Sequence, residues 1–205
     1  MSRNPSSGAR AGANIVVVAA LATALLVTGC SRATPVASFD PASACTTDGR
    51  YPGAYPDLEA LLPAAYEGQP PTSVDSGRNC TPSALGNLAG AVVDGVRFAG
   101  ATWALGGTSG LTVAVFEGDG LDAANLLAFY EDGARTARRT EKLQVSDATV
   151  RGGAAKRLDV LGSDGSAQTI VTWPAPDAAG RVNVLLAADL GDAAVAAALE
   201  TFAAP

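Results

Sequence analysis

From Val96 to Ala188 most of the chain falls into short runs of alternating apolar and polar residues, closed by glycine, aspartate or proline, and no other feature constrains the fold as much. A period of two sends successive side chains to opposite faces of a strand. Six runs carry this pattern: 96–105, 111–116, 144–150, 155–161, 167–173 and 182–188. Gly106–Gly110, Gly152-Gly153 and Asp164-Gly165 lie between neighbouring runs, and glycine supplies the positive φ that tight hairpins require. Helix signals stand between and around the strands. Asp57 reads as an N-cap ahead of Leu58, Leu61, Leu62 and Ala65, with Pro63 shortening the helix. Thr81-Pro82 pairs a capping hydroxyl with proline at the first helical position, ahead of Leu85, Leu88 and Val92. Asp122 and Asp192 read as caps for helices carrying Leu126, Leu127 and Tyr130, and Val195, Leu199 and Phe202. Hairpin-linked strands accompanied by helices, rather than alternating βα units, predict an α+β domain: one antiparallel sheet of about six strands with helices on one face.

A shift of about 70 residues aligns Asp94-Gly95 with Asp164-Gly165, Thr102-Trp103 with Thr172-Trp173, and Asp122-Ala123-Ala124 with Asp192-Ala193-Ala194. Read as an internal repeat, this gives two ββα units about a pseudo-twofold axis. Read otherwise, it is the turn chemistry that any two ββα units of an alanine-rich chain share.

The N-terminal stretch has a different character. Residues 1–12 carry Arg3 and Arg10 and no acid, and 13–27 are apolar apart from Asn14 and Thr23. That run is short of the ~20 apolar residues of a bilayer-spanning helix, and it has the basic, apolar and small-residue regions of an export signal. Its end, Leu26-Val27-Thr28-Gly29-Cys30, resembles the lipobox of bacterial prolipoproteins: aliphatic, two small residues, then cysteine. The resemblance implies cleavage before Cys30, a diacylglyceryl group on its thiol, acylation of the new amine, and anchorage at the extracytoplasmic face of the cell membrane. The mature chain as a whole also resembles secreted lipoproteins of GC-rich Gram-positive bacteria, which carries over no functional residue. Residues 1–29 are then a removed signal peptide, 30–44 a lipidated cysteine and tether bearing Pro35 and Pro41, and 45–205 a single domain.

With Cys30 given to lipid, Cys45 and Cys80 remain as an even pair, which in an oxidising compartment predicts a disulfide across about 35 residues. The chain has 14 basic and 20 acidic residues; losing Arg3 and Arg10 with the leader leaves 12 and a net charge of −8. An acidic surface repels phosphate backbones, so no nucleic-acid partner is expected.

The chain contains no histidine. His-based triads and the commonest general base at neutral pH are thereby excluded, and with no cysteine to spare so are zinc sites of the Cys/His type. No Gly-x-Ser-x-Gly, Ser-x-x-Lys, phosphate-binding or dinucleotide motif is present, and no cofactor is expected. Two charged clusters stand out. Glu117, Asp119 and Asp122 form the densest acidic stretch, readable as a hard-cation site or as turn and capping residues. Arg135, Arg138, Arg139 and Lys142 fall at i, i+3, i+4 and i+7; on a helix continuing from Asp122 they form one basic stripe, facing an anionic envelope partner or complementing the helix C-terminus. Trp103 and Trp173 sit in strand patterns and read as core or sheet-face residues rather than ligand stackers. The expectation is a membrane-anchored lipoprotein whose non-catalytic domain binds an envelope component or protein. The alternatives are a hydrolase that uses carboxylates alone, with two of them converging in a cleft, and a carrier of a small apolar ligand or lipid.

Overall fold

The structure, a computed structural model, describes residues 39–202. Eight strands form one antiparallel sheet: β1 (Gly49–Tyr51), β2 (Ser73–Asn79), β3 (Val93–Gly106), β4 (Ser109–Asp119), β5 (Thr140–Val150), β6 (Gly153–Gly162), β7 (Ala167–Pro174) and β8 (Arg181–Ala188). Among the described residues four helices accompany them: α1 (Pro56–Glu59), α2 (Pro82–Leu85), which runs into a 3-10 turn at Gly86–Gly90, α3 (Ala123–Thr136) and α4 (Asp192–Phe202). The α+β class and the single antiparallel sheet agree with the sequence, and the six patterned runs are β3 to β8.

Strands β1 and β2 carry no apolar alternation, which is why the pattern misses them. On the core-facing side of β2 only Val74 is apolar; Ser76 and Arg78 there are buried and satisfied by hydrogen bonds. Of the caps, Thr81 and Asp122 accept from the backbone N–H of Ala84 and Asn125, at 3.3 and 2.7 Å. Asp57 does not cap: Tyr55 holds that place and Pro56 opens the four-residue α1. Asp192 is the first residue of α4, and its carboxylate accepts from Arg157 at 2.5 Å.

Strand order across the sheet is β1-β2-β3-β4-β8-β7-β6-β5, symmetric about the seam between β4 and β8. On that seam Ala114 faces Val184, 70 positions further on. The helices break the symmetry, and they correct the expectation that all lie on one face. Residues opposite one another in neighbouring strands share a face. By this register Ala101, Trp103, Leu111, Val113, Leu185 and Val171 lie on one face, where Val195 and Ala198 of α4 share their core. Ala114, Val184, Ile170 and Leu158 lie on the other, where Leu126 and Leu127 of α3, with Leu85 and Leu88, pack against them. The connecting loops account for the difference. Leu121, buried between β4 and α3, belongs to the α3 core, whereas the position 70 further on is Gly191 and the nearest leucine, Leu190, packs into the α4 core. A one-residue offset in the anchoring leucine accompanies the reversal of the helix to the opposite face, as a one-residue slip does for a strand.

Packing begins earlier than Cys45. Phe39 is buried against Ala99, Tyr55 and Leu58 on the α4 face, and the Arg78 guanidinium lies 4.8 Å over its ring. Arg78 also donates to the carbonyls of Ser43 and Thr47, both at 2.9 Å, so a buried cation fastens the first described residues to β2.

Candidate functional site

A cleft of about 720 Å³ opens on the α4 face. Its floor is Trp173 of β7 and Asn183 of β8, direct partners in the ladder. Phe202 at the end of α4 forms one wall and the β5–β6 turn, with Val150, Arg151 and Ala154, another; Leu61 beyond α1 and the Pro174–Asp177 segment complete the rim. The volume suits a small ligand, and an apolar lining with a few polar groups is the usual character of such sites. Trp173 is buried, offering the cleft little more than an edge, and the Asn183 amide makes no side-chain hydrogen bond among the described residues.

The charged groups at the cleft are unequally committed. Arg181 donates to both sides: Nε and Nη2 to Glu117 at 3.1 and 2.9 Å, and Nη1 to Asp177 at 3.1 Å. Glu117 also accepts from Arg97, which reaches Asp57 at 3.3 Å and lies over the Tyr55 ring. Burial works to raise the pKa of Glu117, but the hydrogen bonds from Arg97 and Arg181 outweigh it and hold the carboxyl below its ordinary range. Asp159, bonded to Arg157 and Thr169, is held low in the same way against its burial. Arg151 differs. It occupies the positive-φ position of the β5–β6 turn, at φ 48°, and donates only to the carbonyl of Glu200 near the end of α4, at 2.9 Å; no acidic side chain among the described residues forms an ion pair with it.

These arrangements bear on several sequence expectations. A carboxylate-only hydrolase needs two carboxyl groups at one site with at least one able to hold a proton near neutral pH. Asp177 is the single carboxylate on the described cleft lining, and neighbouring Glu117 is held ionised by two guanidinium groups. The acidic stretch does not converge: Glu117 serves the arginines, Asp122 caps α3, and no three acidic or cysteine side chains gather at one point among the described residues. The basic stripe does not form either. Helix α3 ends at Thr136, leaving Arg138 and Arg139 in the following turn and Lys142 in β5. Arg135 pairs with Glu131 one turn back, and Arg139 reaches Asp164 at 3.4 Å.

Cys45 and Cys80 are disulfide-bonded, with Cα atoms 5.3 Å apart. Asp48 accepts from the backbone N–H of Cys80 and of Thr81, at 2.6 and 2.9 Å, and so fixes the corner around the bridge. Gly95 closes over it: its φ is +97°, and a Cβ there would sit 2.6 Å from the Cys45 sulfur. Cys30 and the leader lie outside the described residues. Arg151 and Asn183 carried no sequence signal and Phe202 only that of an apolar helix position, because the cleft exists only once α4 has folded onto this face. No family model, curated protein or solved structure matches the chain.

Proposed function

We propose that this chain is a lipid-anchored extracytoplasmic binding protein, held in the membrane through Cys30, whose domain takes up a ligand in the α4-face cleft rather than transforming it. The cleft carries the binding part of the reading: among the described residues its floor and walls are mainly apolar, its amide is uncommitted, and its one carboxylate and the neighbouring Glu117 are bonded to arginine. Support for the location comes from the Leu26–Cys30 motif and from a disulfide that suits an oxidising compartment.

The test is expression with labelled palmitate in a bacterium that processes prolipoproteins, followed by fractionation. Label on the protein and its recovery with membranes are expected, and both should disappear in Cys30→Ala. Label or membrane recovery that survives the substitution would sink the anchor. Mass spectrometry of material released from the purified protein addresses the cleft: a stoichiometric compound lost in Phe202→Ala is the expected result, and turnover of a substrate abolished by Asp177→Asn would overturn the binding role.

A further inference from the structure

The geometry points to a particular class of ligand for this cleft: an amphiphile with an apolar body and an anionic head, the head set against Arg151. The inference rests on the cleft being the binding site. The interior is supplied by Val150, Trp173 and Phe202, surfaces that reward apolar contact and offer no charge. Both arginines of the lining are held in place, but among the described residues only one is paired with acids. Arg181 is sandwiched between Glu117 and Asp177, whereas Arg151 gives one hydrogen bond to a main-chain carbonyl and meets no described carboxylate at the rim. A guanidinium has five N–H donors, so that single bond leaves several directed outward for a carboxylate or phosphate. Its placement is also built: a two-residue turn in positive φ fixes the backbone, and the contact with α4 fixes the head. Asn183 on the floor adds a neutral donor and acceptor part-way along the apolar path.

The position of Phe39 agrees with this class. Phe39 lies on the same sheet face as the cleft, nine positions after Cys30. Even fully extended, nine residues span only about 30 Å. With the proposed anchor, the cleft face is therefore confined to the neighbourhood of the bilayer, where amphiphiles are concentrated.

The experiment uses the full chain as Cys30→Ala, purified without detergent and titrated calorimetrically with dodecanoate, dodecanol and dodecylamine. Dodecanoate is expected to saturate one site and to bind about fivefold to tenfold more tightly than dodecanol, the size of one charge-assisted hydrogen bond at a solvent-exposed rim. Arg151→Asn, chosen because asparagine tolerates positive φ, should abolish that preference and leave dodecanol binding unchanged. Arg151→Lys should retain part of it, and Phe202→Ala should weaken all three probes. Equal affinity for dodecanoate and dodecanol, or a preference that survives Arg151→Asn, overturns the anionic-head assignment while the binding role of the cleft stands. If no probe saturates the folded protein, both fall.

Discussion

Replacing Glu117 with glutamine tests the seam of the sheet. Arg97, Glu117 and Arg181 stand side by side on β3, β4 and β8, so one carboxylate joins the two halves of the domain through two guanidinium groups. Glutamine keeps the shape and one acceptor but removes the charge. Breaking a fully buried ion pair costs ~3–5 kcal/mol, and losing an exposed one ~0–1 kcal/mol. This network lies between: the side chains of Glu117, Arg97 and Arg181 are 25, 39 and 20 % exposed, and each arginine keeps a second carboxylate, Asp57 or Asp177. The expected loss at neutral pH is therefore about 1–2 kcal/mol. Its pH dependence separates charge from shape. Glu117 has an ordinary value of 4.5 and is held lower in the fold, so it takes up a proton more readily in the unfolded chain. Its stabilisation is present above the unfolded value and is lost as the pH falls through the folded one. Glutamine does not titrate. Urea unfolding with the disulfide intact should show a lower midpoint for Glu117→Gln at pH 7, with the difference shrinking below about pH 4. An unchanged midpoint at pH 7 would refute the network's contribution, and a difference that persists undiminished in acid would assign it to packing.

Two further measurements address local structure. Reduction of Cys45–Cys80, or its replacement by serines, should lower stability by ~3–4 kcal/mol, the loop-closure value for a separation of 35; superimposable melts with and without reductant would contradict this. Asp122→Ala should cost ~1 kcal/mol and Asp122→Asn much less, because asparagine retains the acceptor for the Asn125 N–H; equal thermal shifts for the two variants would mean that the cap contributes nothing.

The sequence displayed this fold unevenly, and the reasons are physical. Strands β3, β4 and β6 to β8 were legible because each buries apolar side chains on at least one face, which imposes a period of two; the edge strand β5 buries only Val150 and was legible from its partial alternation and the Gly152-Gly153 turn that follows. Strand β2 was not, because its buried Arg78 and Ser76 are satisfied by the backbone of residues 43–47 and by Glu59, and polar burial leaves no periodicity. The sheet face chosen by α4 was not legible either. Its Asp-Ala-Ala-Val-Ala-Ala-Ala-Leu segment is apolar on several sides, and the deciding contact, Leu190 against a core assembled from distant strands, is tertiary. For the cleft, the sequence offered Trp173 as a core residue, which it is, but Arg151 and Phe202 meet only through that same helix placement. The basic stripe failed on a boundary: Ala137 leaves helical geometry at ψ 130°, and three of the four cations fall beyond it.

The Cys45–Cys80 bridge also has a mechanical consequence. Residues 46–79, which contain β1, α1 and β2, all lie inside the covalent loop. A pull on the N-terminal segment first meets Phe39 and the clasp of Arg78; once these yield, the load passes from Cys45 through the sulfur atoms to Cys80 and onward to α2, so those 34 positions lie off the covalent path of the force. Strand β2 cannot then be peeled from β3 by its own N-terminal end, and the short edge strand β1, the weakest member of the sheet, carries no tension. With the proposed anchor at Cys30, load would enter the domain at Cys45, which is stapled to the far end of the segment that would otherwise unravel first.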